Sequence, residues 1–124
     1  MKGKGMFKVM MMVRKQPGVS REAFIDYFEN FHIREGLPPV KHVLKRYVRH
    51  YVTPHAAAIY GADEEAPCDL ISELEFESEA DIWELRRLMA DPKMTAMLSA
   101  QDEKYVNYGE TMRVMVVEDY ETKF

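Results

Sequence analysis

The sequence predicts an α+β domain whose strands and helices follow in the order β-α-β-β-α-β. Three observations carry that prediction. Apolar stretches with a two-residue period lie near both ends of the chain, Met6–Arg14 and Thr111–Glu118. An amphipathic helical stripe follows the first and the third strand-like stretch. Pro17-Gly18, Gly36-Leu-Pro-Pro39 and Asp91-Pro92 punctuate the chain between these segments.

Each element has its own justification. In Met6–Arg14, Phe7, Val9, Met11 and Val13 point one way and Lys8, Met10, Met12 and Arg14 the other. Pro17-Gly18 ends the strand. Ser20 then supplies an N-cap hydroxyl, and Glu22 places an anion in the first turn, where the helix dipole favours it. Phe24, Tyr27, Phe28 and Phe31 fall at helical spacing on one face, and the stripe delivers His32 at the last turn. Val43–Val52 is a second strand, rich in β-branched and aromatic residues but polar through Lys45, Arg46, Arg49 and His50, as an edge strand or a wet cavity wall would be. Thr53–Pro67 is a long connection suited to a lid or a partner contact. Asp69–Phe76 is the third strand. Ser78 and Asp81 have capping-box spacing, and Ile82, Leu85, Leu88 and Met89 form the stripe of the next helix, which Asp91-Pro92 ends. A further helical stretch, Met94–Tyr105, precedes the final strand.

The order is that of a ferredoxin-like sandwich. Two helices cover one face of a four-stranded sheet. The first and last strands are nevertheless apolar on both faces, so the second face needs a cover as well. A second copy across a two-fold axis is the simplest one. The expectation is a homodimer, with a cavity between sheet and helices or between the two sheets.

The chain of 124 residues is expected to be one domain spanning 1–124. Its net charge of −4 argues against a nucleic-acid or anionic-membrane surface, which needs clustered positive charge. No apolar run approaches the length of a bilayer span, the N-terminus lacks the pattern of a signal peptide, and the single cysteine, Cys68, gives neither a disulfide nor a thiolate cluster. The expected location is the cytoplasm. His50 and His55 flank Pro54 at a spacing that matches no standard metal motif. Ten methionines suit adaptable core and interface packing. No phosphate-binding loop, dinucleotide fingerprint or nucleophile elbow is present, so no cofactor is expected.

With those elements in place, the chain resembles the EthD family of dimeric α+β-barrel proteins. The resemblance rests on Arg14-Lys15, Pro17-Gly18, Ser20, Phe24, Tyr27 and His32, then on Arg46-Tyr47-Val48, Asp69, Glu73 and Phe76-Glu-Ser78, and last on Asp102-Glu103, Tyr105 and Asn107. It implies a dimeric barrel and a small hydrophobic ligand. Similar proteins of that architecture act as polyketide cyclases, muconolactone isomerases and cofactor-free monooxygenases. The muconolactone isomerases carry a cysteine where this chain has Leu74.

The candidate catalytic residues are His32, Tyr47 and Glu73. Imidazole titrates nearest neutral pH, and a helix C-terminus favours its charged form; the bland alternative is a ring that caps the last carbonyls. Tyr47 shares a strand face with Tyr51 and can donate to a developing oxyanion, whereas most strand tyrosines are simply packed. Glu73 lies mid-strand, as either a desolvated proton carrier or an ion-pair partner of Arg14, Arg46 or Arg113. Tyr27, Phe28, Met10, Met12, Tyr105 and Asp102 complete the expected substrate site, with Asp102 more readily taken as a helix-surface or interface charge. Two functions fit. One is a cofactor-independent enzyme acting on an aromatic or polyketide-like molecule by acid–base chemistry or cofactor-free oxygenation. The other is a non-catalytic ligand-binding or accessory protein for an oxygenase pathway.

Overall fold

The strand alternation read from the sequence becomes a sheet with one covered and one open face. The computed structural model describes residues 7–53, 67–109 and 112–124. Strand β1 (Phe7–Lys15) leads into α1 (Arg21–Tyr27), a π-helical turn (Phe28–Ile33) and α2 (Arg34–Gly36). A 3-10 turn (Lys41–Val43) precedes β2 (Arg46–Tyr51). Then come β3 (Leu70–Phe76), α3 (Glu79–Met89), α4 (Pro92–Tyr105), β4 (Val106–Asn107) and β5 (Arg113–Val117).

The sheet order is β2-β3-β1-β4, all pairs antiparallel, and β5 also pairs with β1. β4 and β5 share one edge of β1: Arg14 and Lys15 face Asn107 and Val106, while Lys8 to Met12 face Val117 to Arg113. This is the ferredoxin-like fold the sequence predicts, with its last strand interrupted. Period-two burial is complete in β3, where Leu70, Ser72, Leu74 and Phe76 are buried and the residues between them half-buried. Val13, Phe24, Tyr27, Phe28, Leu70 and Val106 form the core that joins α1 to the sheet. Burying each such aliphatic or aromatic side chain stabilises the fold by about 1.5–3 kcal/mol.

The local signals act where expected. Ser20 Oγ accepts from the Ala23 amide at 3.0 Å, Ser78 Oγ from the Asp81 amide at 3.3 Å. Gly18 turns the chain at φ 84°, a conformation costly for any residue with a Cβ. Four details differ from expectation. The segment Val43–Leu44 is not strand, because the 3-10 turn completes the descent from the Pro38-Pro39 stop and β2 starts at Arg46. Asp91-Pro92 both stops α3 and starts α4: Asp91 caps it by accepting from the Lys93 amide at 2.8 Å, and Pro92 sits in the first turn, where no amide is needed. Two residues, Val106 and Asn107, pair as an unforeseen strand. His32 is not in a last turn, since helical backbone continues through Gly36. Most of the connection Thr53–Pro67, with His55 and Asp63–Glu65, lies outside the described residues, as do Met6 and Thr111.

On the open face, alternation places Met10, Met12, Val48, Ile71, Met115 and Val117 around a charged patch. Glu73 there meets Arg46 at 2.8 Å, His50 at 3.4 Å and Lys8 at 3.5 Å, and Lys8 also pairs with Asp119. No helix among the described residues is long and apolar enough to cross a membrane.

Candidate functional site

The π-helical turn sets the geometry of the site. Within this turn the Phe28 and His32 rings, four residues apart, stack with centroids 4.3 Å apart and planes 19° from parallel. His32 is thus held flat on a buried aromatic instead of hanging from a helix end. Its side chain is 16% exposed.

Its partner comes from α4. Asp102 is buried, and both of its carboxylate oxygens lie 3.1 Å from His32 Nδ1. The Tyr27 hydroxyl donates to Oδ1, and the Tyr108 hydroxyl donates to Oδ2 at 2.8 Å. Burial opposes the charge on Asp102. The hydrogen bond and charge of His32, with the two hydroxyls, outweigh it and hold the carboxyl below its ordinary range. A carboxylate can only accept, so Nδ1 is the nitrogen that carries a proton toward Asp102, and Nε2 is left for a ligand. Burial, together with the Asp102 hydrogen bond and charge, pushes both the Tyr27 and Tyr108 phenols up, which keeps them protonated. Tyr105 stacks on Tyr27 at 4.2 Å and fixes that ring.

His32 and Tyr108 line a cavity of about 150 Å³ between helices and sheet. Met11, Val13, Phe28, Leu37, Leu74 and Leu98 supply much of its apolar wall, and Tyr47 and Ser72 bring hydroxyls to its sheet side. A groove of about 650 Å³ shares His32, Met11 and Tyr108 with it and extends to Phe76, Ile82 and Val114. Burial raises the Tyr47 phenol, partly offset by hydrogen bonding with Ser72 and by the charge of Arg49. The Arg49 guanidinium lies 5.0 Å over the Tyr47 ring and is clamped by Glu29 at 2.6 and 2.9 Å; Tyr51 donates to the same carboxylate at 2.6 Å.

The structure therefore brings together His32, Tyr47, Phe28, Tyr27, Tyr105 and Asp102. It does not bring Glu73, Met10 or Met12 to this cavity. All three project from the open face, and it is Met11 that reaches the cavity. Of the partners expected for Glu73, it meets Arg46. Asp102 is not a surface charge: its position on α4 turns it inward, where three polar groups compensate its burial. Tyr108 was not anticipated, because it follows β4 in a break between strands, where no periodicity marks an inward side chain. Among the described residues, no group of three histidine, cysteine or acidic side chains is placed to hold a metal ion.

A five-stranded antiparallel sheet with helices on one face, and a histidine–carboxylate pair between helices and sheet, define a ferredoxin-like architecture. The chain belongs to the EthD family, whose EthD domain matches residues 16–108. No curated protein matches it. Among solved structures it is similar to a NIPSNAP-like domain protein from Burkholderia xenovorans, at 18% identity and TM-score 0.64, over 98% of this chain and 90% of that one. A hydroxynitrile lyase from Passiflora edulis aligns at 13% identity and TM-score 0.58, over 98% and 99% of the two chains. A dimeric protein of unknown function and ferredoxin-like fold from Bacteroides fragilis aligns at 14% identity and TM-score 0.58, over 94% and 98%. At these identities the likeness is one of fold.

Proposed function

We propose that this protein is an enzyme of acid–base type acting on a small, largely apolar carbonyl compound, with His32 as the proton carrier. The observation that carries the reading is the His32–Asp102 pair on the wall of a mainly apolar cavity, with Nδ1 committed and Nε2 available. Nε2 removes a proton from the carbon beside the carbonyl. The C–H electron pair becomes the carbon–carbon π bond of an enolate, and the carbonyl π pair moves onto oxygen, which accepts a hydrogen bond from Tyr47. Returning the proton elsewhere gives isomerisation; loss of a group from the adjacent carbon gives elimination. Asp102 keeps the ring oriented and balances its charge while it holds the proton. That a lyase occurs among the structures of similar fold supports this class of chemistry.

The same proposal includes a homodimer formed through the open sheet face. That face carries an apolar field around a charged patch, Met115 is exposed on it, and a similar fold is described as dimeric.

The test is deuterium uptake in heavy water, followed by NMR, for aryl ketones, cyclic diketones, lactones and a cyanohydrin. Wild type is expected to exchange or cleave at least one probe. His32→Ala is expected to lose that rate by about 10²–10⁴-fold. If probes bind but none reacts, or if His32→Ala reacts at the wild-type rate, the enzymatic reading fails and a ligand-binding or accessory role replaces it.

A further inference from the structure

Among the described residues, two polar or charged side chains are buried, Asp102 and Ser72. Asp102 is accounted for by His32. Ser72 occupies an inward position of β3 between Leu70 and Leu74, where every other inward residue is apolar and where an apolar side chain would pack without burying a hydroxyl. It lines the cavity. In the ladder it sits opposite Met11 on one side and Arg49 on the other, and diagonally from Tyr47, which faces Leu74. Long side chains reach across that diagonal.

We propose that Ser72 and Tyr47 form an oxygen-binding subsite on the sheet wall of the cavity, with Ser72 as a positioning residue for Tyr47. Its ligand class is the enolate or phenolate oxygen of a cyclic or aromatic molecule. The inference rests on the acid–base reading of the same cavity. Two hydroxyls in contact hold two protons, and one is consumed between them. When Ser72 donates to the Tyr47 oxygen, the Tyr47 proton is the one left to point at the ligand. A donor that is itself accepting a hydrogen bond is polarised and donates more strongly. The Arg49 charge over the Tyr47 ring acts in the same direction, and Glu29 fixes Arg49 in place. His32 then stands on the helix wall and the oxygen subsite on the sheet wall, the separation that proton removal from one atom and charge build-up on another requires.

The experiment needs no turnover, so its failure and that of the His32 exchange assay are distinguishable. 4-Nitrophenol, whose visible absorbance reports its ionisation, and 4-nitroanisole, which lacks the acidic oxygen, are titrated into wild type, Ser72→Ala, Ser72→Thr and Tyr47→Phe. Ser72→Ala and Tyr47→Phe are expected to weaken nitrophenol binding about tenfold and to shift the bound phenol toward its neutral form. Nitroanisole affinity is expected to change less than about twofold, and Ser72→Thr to restore the wild-type spectrum. The proposal is overturned if wild type does not bind nitrophenol, if Ser72→Ala leaves it unchanged, or if both ligands weaken equally, which is the mark of a packing role.

Discussion

Replacing Asp102 by alanine removes the acceptor shared by Tyr27, Tyr108 and His32, and the cost follows from where each donor lies. Tyr27 is buried, so its stranded hydroxyl costs about 1–3 kcal/mol. Tyr108 is 40% exposed as a residue, so freeing its hydroxyl costs less than freeing that of Tyr27. His32 loses its charged partner in a mostly buried position. The total, about 3–4 kcal/mol, is in the range for breaking a buried pair by removing one member. For a chain of this length it lowers the melting temperature by roughly 10–15 °C. The pH dependence adds a second readout. The folded-state carboxyl titrates below its unfolded value, so the unfolded chain binds its proton first as pH falls. The stabilisation is therefore full above the ordinary carboxylate range and disappears as pH falls through the lowered folded value. Thermal melts followed by circular dichroism, from neutral pH into acid, should show the gap between wild type and Asp102→Ala closing on the acid side. A loss under about 2 °C at neutral pH, or a gap of constant size into strong acid, would refute the assignment of Asp102 as a compensated buried carboxylate.

Three other outcomes follow from the same geometry. Gly18→Ala meets no neighbouring atom, so its expected destabilisation of about 1 kcal/mol comes from the positive φ alone and reads out in urea unfolding. Arg49→Gln releases Glu29, whose carboxyl is held low chiefly by the Arg49 hydrogen bond; stability lost in wild type as pH falls through that lowered value should be less pH-dependent in the variant. Glu73→Gln disturbs the open-face patch and is expected to weaken self-association in sedimentation velocity while leaving His32-dependent exchange intact, since Glu73 projects away from the cavity.

Patterning made the fold legible. Leu74 and Phe76 alternate with Glu73 and Glu75, Ser20 and Ser78 cap the helices they precede, and Pro17-Gly18 turns where a turn is needed. His32 and Tyr47 stood out as candidates through the residues shared with the EthD family, and Phe28 through its place on the apolar helical stripe. The π-helical turn was not, because Phe24, Tyr27, Phe28 and Phe31 satisfy α-helical spacing and the widened turn begins only after Tyr27. The role of Asp102 depends on contacts made from 70 and 75 residues away, which no local spacing encodes. Glu73 was ambiguous because a mid-strand carboxylate is unusual on either face; it meets Arg46, which lies diagonally across the β2–β3 ladder and faces Glu75. Met10 and Met12 lie one residue either side of the methionine that reaches the cavity, the smallest step by which a strand changes face.

The most direct measurement is the tautomer of His32 in the full-length protein, read from long-range proton–nitrogen correlation NMR at a pH where the ring is neutral. The Asp102 geometry predicts a proton on Nδ1 and a bare Nε2, with the Nε2 resonance moving when a cavity ligand is added. A neutral ring protonated on Nε2, or a resonance indifferent to every ligand that binds the cavity, would contradict His32 as the proton carrier of this site.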